Sequence, residues 1–315
     1  LRRLLRSVSQ LAAELSAQDG GTVYFESLDG DVHLAGGSSV NVSAGSERAG
    51  GGIIGVSVPD GQFKAGGTLT GSLNDNLETG GSFLLDAGNL TDSDFNRLMQ
   101  GMGSGNFTSS VDIRVREDNI SLVSDVTSHH FKLSADTGDI NVDAAVNASS
   151  SKGGGVIEMY SGGEIHLTED TSLTAVGTGA GNRGGQIILA STKEQDDDSI
   201  TLNEAEIDAG DGEVYFSAPR SNNNTEIALK LDGKINASLV TVVADKTYHE
   251  TDGRITSYST WNNDANTYMN SRSKTIIDRL RSEMLSPVAN LAFRPGMTII
   301  GPQNGDLSID TKLDF

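Results

Sequence analysis

The chain of 315 residues contains no cysteine, five prolines and one tryptophan, and only 5% of its residues are aromatic. The absence of cysteine rules out a disulfide framework and thiolate metal sites, and it suits a large secreted chain that must stay unlinked while crossing an outer membrane. Cations are scarce too, with 23 Lys and Arg against 43 Asp and Glu and a formal net charge of −20. Phosphate backbones demand stripes of Lys and Arg, so no nucleic acid partner is expected, and anionic membrane surfaces are disfavoured for the same reason. No apolar run approaches the roughly 20 residues that cross a bilayer, so no membrane span is expected. Hydrophobic residues make up 36% of the chain, too few for a bulky globular core.

Glycine is abundant, with 38 residues, and it recurs in a fixed grammar. A Gly pair precedes a short alternating strand, then a second strand led by Gly and an acid, then a third ending in small polar residues. Gly154-Gly155 followed by Val156–Tyr160, Gly163–Leu167 and Ser172–Val176 is one statement, and the next opens at Gly184-Gly185. One such unit cannot hide its apolar face alone and must stack on a copy of itself. Val23 to Ile54 and Val156 to Ile187 are each offset by 31 residues, and Ile187 to Val214 by 27. The pattern predicts an all-β, right-handed parallel β-helix, a solenoid of eight or nine coils about 40 Å long at the usual strand separation. Ile157, Ile165 and Ile188 are expected in its inward ladders.

The expected organisation is an amphipathic helical segment over residues 1–19, the parallel β-helix over 20–258, a loop and helix packed on the rod over 259–290, and further strands over 291–315. Leu1, Leu4, Leu5, Val8, Leu11, Ala12 and Leu15 share one face of the first helix. A short helical insertion is expected near 91–102, with Asp92 and Asp94 as its caps. Trp261-Asn262-Asn263-Asp264 reads as loop, and Ile276, Ile277, Leu280, Met284 and Leu285 as the apolar face of a helix ending before Pro287. The chain opens at Leu1 without a signal-peptide layout and reads as an internal piece of a longer protein.

Two ordered phrases carry a resemblance. One is Ala218-Pro219-Arg220, then Glu226–Ile235, then the Val-rich Leu239–Ala244 closing in Lys246-Thr247-Tyr248. The other is Arg294-Pro295-Gly296-Met297 with Gly305-Asp306-Leu307 behind it. In these the chain resembles the filamentous haemagglutinin-like large exoproteins, passengers of bacterial two-partner secretion, although Asp310–Phe315 lacks the Trp of that family's pattern. The resemblance covers residues 80 to 315 well and the first 80 more loosely. It implies secretion through an outer-membrane two-partner secretion transporter and display at the bacterial cell surface as an adhesin. A host or neighbouring-cell receptor or glycan would be the other partner.

Other chemistries are weaker. Asp196-Asp197-Asp198 reads as a solvated corner loop between strands. His129-His130 are adjacent and so point to opposite faces, poor geometry for one metal, while His33 and His166 alternate with apolar neighbours and should face outward. Gly177–Gly185 lacks the Asp of a calcium-binding nonapeptide and the Lys-Ser or Lys-Thr of a phosphate loop. Asn41, Asn89, Asn106, Asn119, Asn147 and Asn236 begin Asn-X-Ser/Thr sequons that read as corner composition. Trp261 and Tyr258 could stack on carbohydrate if exposed, but packing against the adjacent helix is the favoured reading. No catalytic, cofactor-binding or metal-ligating residue is expected, and no enzyme. The alternatives are a β-helix carbohydrate-active enzyme, lyase or hydrolase, and the stalk of a contact-dependent toxin delivery protein.

Overall fold

The computed structural model describes residues 19–46, 49–73, 79–181, 183–194, 197–255, 258–302 and 305–309. The helix expected over residues 1–17 and the final phrase from residue 310 lie outside the described residues. The chain winds into a parallel β-helix of about eight turns. Its spine is a wide sheet of 12 strands, ten of which follow one another in coil order from Thr22–Glu26 to Leu291–Pro295. Among these, Ser110–Val115, His130–Ala135, Val156–Ser161, Gln186–Ser191, Glu213–Ser221 and Leu239–Asp245 pair in parallel, each with the next.

Alternation within each strand places one residue in two inside. Val111, Phe131, Ile157, Ile187, Val214 and Val240 lie in one inward row, all with no exposed surface. Ile113, Leu133, Met159, Leu189, Phe216 and Val242 make the next. Each such side chain contributes about 1.5–3 kcal/mol of burial, and since every coil supplies only a few, stability accumulates by stacking.

Register corrects two expectations. Val23 does face Ile54 and Ile187 faces Val214, but Val156 faces Gln186, and it is Ile157 that faces Ile187. The true offset there is one residue shorter than 31. A slip of one residue turns every side chain over. Ile188 is therefore not in the inward ladder. It stands outside, half-buried, between Glu158 and Tyr215, while Ile157 and Ile165 are fully buried as expected.

The Gly pairs mark the tightest corner. A Cβ on Gly155 would overlap the carbonyl oxygens of His129, about one coil back, and of Ala148 in the same corner, and one on Gly184 would overlap that of Ala209. Only glycine lets the backbones approach so closely.

The two narrower faces are interrupted where the spine is not. Val32–Leu34 pairs with Phe63–Ala65, and Ser39–Asn41 with Thr68–Thr70. Helix α1, Asp92–Ser104, then occupies the space of the next coil. The faces resume with Ile120–Leu122 and Val126–Thr127 and stack coil on coil up to Leu229–Asn236. Helix α2, Tyr258–Glu283, covers that last strand, and short strands Thr247–His249 and Thr298–Ile300 pair beyond it. The Asp residues expected to cap α1 lie in its first turn instead. The cap is Thr91, whose hydroxyl accepts the N–H of Asp94. Residues 261–264, expected as loop, belong to α2, because Trp261, Ala265 and Tyr268 are buried in step with Ile276 and Leu280. Leu285 of the expected apolar face is instead exposed.

Candidate functional site

Two regions collect polar side chains. The first lies where α2 crosses the rod. Pro219 pairs with Asp245 in parallel register, so the strands ending in Ala218-Pro219-Arg220 and leading into Lys246-Thr247-Tyr248 leave the spine side by side. Their side chains converge on Asp264 of α2. Oδ2 of that carboxylate accepts from Tyr248 Oη at 2.7 Å, Arg220 Nη1 at 3.0 Å and Lys246 Nζ at 3.0 Å, and Oδ1 accepts from Asn224 at 3.1 Å. The Arg220 side chain is only 2% exposed and lies 4.4 Å from the centroid of the Tyr268 ring.

The electrostatics follow from that convergence. Burial pushes the Asp264 carboxyl upward, but hydrogen bonds from Tyr248 and Lys246 and the charges of Lys246 and Arg220 outweigh it, holding Asp264 below the usual carboxylate range. Burial, with Asp264 beside it, raises the Tyr248 phenol. Trp261 stacks on Tyr248 with ring centroids 5.0 Å apart and is itself buried. The aromatic pair is therefore packing between helix and rod. Beside the node opens a cleft of about 350 Å³ lined by Arg220, Asn222, Asn223, Asn224, Asp245 and Lys246. Its three asparagines run consecutively at φ between 53° and 63°, a left-handed turn that asparagine tolerates better than most residues.

The second region is the outer surface of the wide sheet. Arg116 grips Asp86 through two bonds of 2.8 Å, and Arg114 grips Asp136 through Nε at 2.9 Å and Nη2 at 2.6 Å. Lys132 reaches Asp112, and Glu158 accepts from Tyr160 at 2.9 Å with His130 Nε2 at 3.0 Å. Burial raises the Glu158 carboxyl, but bonds from His130 and Tyr160 leave it lowered, and burial with Glu158 pushes the Tyr160 phenol up to about 12. At the rod's first coil Tyr24, 67% exposed, lies across Gly55 where a side chain would otherwise stand. Sequence patterning carries no sign of these ladders, because every charged pair in them joins residues about one coil apart.

The residues singled out from sequence scatter across both regions. His130 joins the ladder with Glu158, while His33 and His166 face outward from strands whose neighbours Leu34, Ile165 and Leu167 are buried. The acidic run is not a uniformly solvated loop. Asp197 is exposed, but Asp198 is half-buried near Arg279 and Glu283 of α2, and burial raises its carboxyl. Sequon asparagines fasten corners: Asn41 and Asn147 accept the N–H groups of Ser43 and Ser149, Asn119 accepts that of Asp139, and Asn236 donates to Asp208. Among the described residues no three His, Cys, Asp or Glu side chains cluster as a metal site, and no helix is long and apolar enough to cross a membrane. No family model, curated protein or solved structure matches this chain.

Proposed function

We propose that the chain is a structural and adhesive segment of a secreted, filamentous haemagglutinin-like exoprotein, which holds an extended β-helical surface away from a bacterial cell for attachment. The observation that carries this reading is the spine itself. One sheet of ten successive strands turns its outward row to solvent, and between Asp86 and Glu158 that row carries ion-pair ladders, so contacts can spread along a rod. Many weak contacts on a stiff scaffold reach high avidity without a deep pocket. The convergence of Ala218-Pro219-Arg220 and Lys246-Thr247-Tyr248 on one carboxylate supports the resemblance, since it gives the two ends of the first phrase a shared structural task. An outer-membrane transporter of the two-partner type would then be the secretion partner.

Beads coated with the purified chain test the proposal when applied to epithelial monolayers, to bacterial lawns and to immobilised cell-surface polysaccharides. Saturable attachment, competed by soluble chain, is expected on at least one. Attachment no better than that of beads carrying an unrelated acidic protein would overturn it. Release of new reducing ends from the same polysaccharides would favour the carbohydrate-active reading instead.

A further inference from the structure

The free edge of a parallel strand offers, around each outward-bonding residue, the carbonyl of the residue before and the N–H of the residue after. A neighbouring strand answers both with one peptide residue. Where the narrow faces stop, helices answer them instead. Along Leu229–Asn236, Arg279 Nη1 donates to Leu229 O at 3.1 Å and Glu283 Oε2 accepts the Leu231 N–H at 3.0 Å. Further on, Leu285 N–H donates to Gly233 O at 2.9 Å and Ser286 Oγ accepts the Ile235 N–H at 3.0 Å. The four groups are those a further parallel strand would bind. Arg279 and Glu283 are themselves joined at 2.6 Å, one turn apart on α2.

Helix α1 brings the same two kinds of side chain to the N–H and carbonyl of one edge residue, which a neighbouring strand would answer with two residues of its own. Arg97 Nη1 donates to Ala65 O at 3.1 Å, Asp94 Oδ1 accepts the Ala65 N–H at 3.2 Å, and the two side chains pair at 3.5 Å. In both helices a guanidinium plays the peptide N–H and a carboxylate plays the carbonyl. Apolar residues of the same helices, Phe95, Leu98, Met99 and Met102 in α1 and Tyr268, Ile276 and Leu280 in α2, fill the core beneath. Each helix thus closes both the apolar layer and the hydrogen-bond edge of an interrupted stack.

We propose that α1 and α2 are edge guards, whose arginine–carboxylate pairs stand in for a missing coil, and that the pair on α2 keeps the strand Leu229–Asn236 from pairing with a second copy of this chain. A second copy is the occupant that fits, because its strands carry the same parallel pattern and the same inward spacing of apolar residues. An unguarded edge of eight residues is long enough for such pairing. The proposal is independent of what the rod attaches to.

The test compares the whole chain with its triple variant R279A/E283A/S286A, which leaves the apolar face of α2 untouched. Amide exchange at Leu231 and Ile235 is expected to quicken about tenfold or more. Sedimentation is expected to show dimers at a protein concentration about tenfold or more below any at which the wild type forms them. Unchanged exchange would show that the side chains do not hold the edge. Faster exchange with unchanged sedimentation would show that an open edge recruits no second copy. Either result overturns the proposal. Should the triple variant fail to fold, E283A alone gives the same readouts at Leu231, and unchanged exchange or unchanged sedimentation there overturns the proposal equally.

Discussion

Ile187 and Ile188 are chain neighbours on opposite sides of one strand: Ile187 is fully buried between Ile157 and Val214, whereas Ile188 lies outside between Glu158 and Tyr215. The pair separates inward from outward with a single-residue step. Ile187→Asp buries a charge with no partner and is expected to destabilise the rod by about 4 kcal/mol or more, or to prevent folding. Ile188→Asp puts its carboxylate at a half-buried outer position beside Glu158 and should cost about 1–2 kcal/mol, well short of the inward variant. Thermal unfolding of the two variants checks the assignment, and equal losses would contradict the register.

Glycine at the tight corner is a second point of leverage. Gly155→Ala forces a methyl group against the carbonyl oxygens of His129 and Ala148 and is expected to lose about 1–3 kcal/mol or more. Gly36 meets nothing within reach of a Cβ, so Gly36→Ala should be neutral or slightly stabilising. Urea titrations of both variants give the comparison, and equal midpoints would deny the corner its close approach.

Much of this architecture is legible without coordinates, and the reasons are local. Strands such as Thr22–Glu26 and Ser110–Val115 announce themselves because alternation and glycine corners act within a few residues. Helix α1 is legible from its Thr, Asp and Ser residues, though the hydroxyl of Thr91 takes the cap. What stays hidden depends on distant partners. Asn262, Asn263 and Asp264 look like loop chemistry, yet Asp264 is held in a helix by Arg220, Lys246 and Tyr248, 44, 18 and 16 residues away. The tasks of Asp94 and Arg97 are hidden likewise, since Ala65 lies about one coil back. Coil length itself varies by a residue or more, and that variation misplaced Ile188.

The Asp86–Arg116 pair should carry measurable energy despite its partial exposure. Its two bonds are parallel and bidentate, the geometry in which surface ion pairs are strongest. A double-mutant cycle with D86N and R116Q is expected to give a coupling of about 0.5–1 kcal/mol, shrinking in 1 M salt as screening shortens to about 3 Å. A coupling of zero at low salt would reduce the ladder to a surface coincidence.

Asp264 makes the anchorage of α2 depend on pH. Its carboxyl lies below the ordinary value in the folded state, against the upward push of burial, because Tyr248 and Lys246 bond it and the charges of Lys246 and Arg220 favour the anion. A group so depressed contributes stability that is fully present above its unfolded pKa of about 3.9 and is lost as pH falls through the lower folded value. Asp264→Asn leaves the Arg220 guanidinium buried without its counter-charge and is expected to destabilise by about 2–3 kcal/mol at pH 7. Because the wild type loses the same charge in acid, the gap between the two proteins should stay constant from pH 7 to about pH 4 and close below it. Melting temperatures measured for both from pH 7 to pH 2.5 trace that closure. A gap that persists unchanged at the acid end would mean that the carboxylate's charge plays no part in holding the helix to the rod.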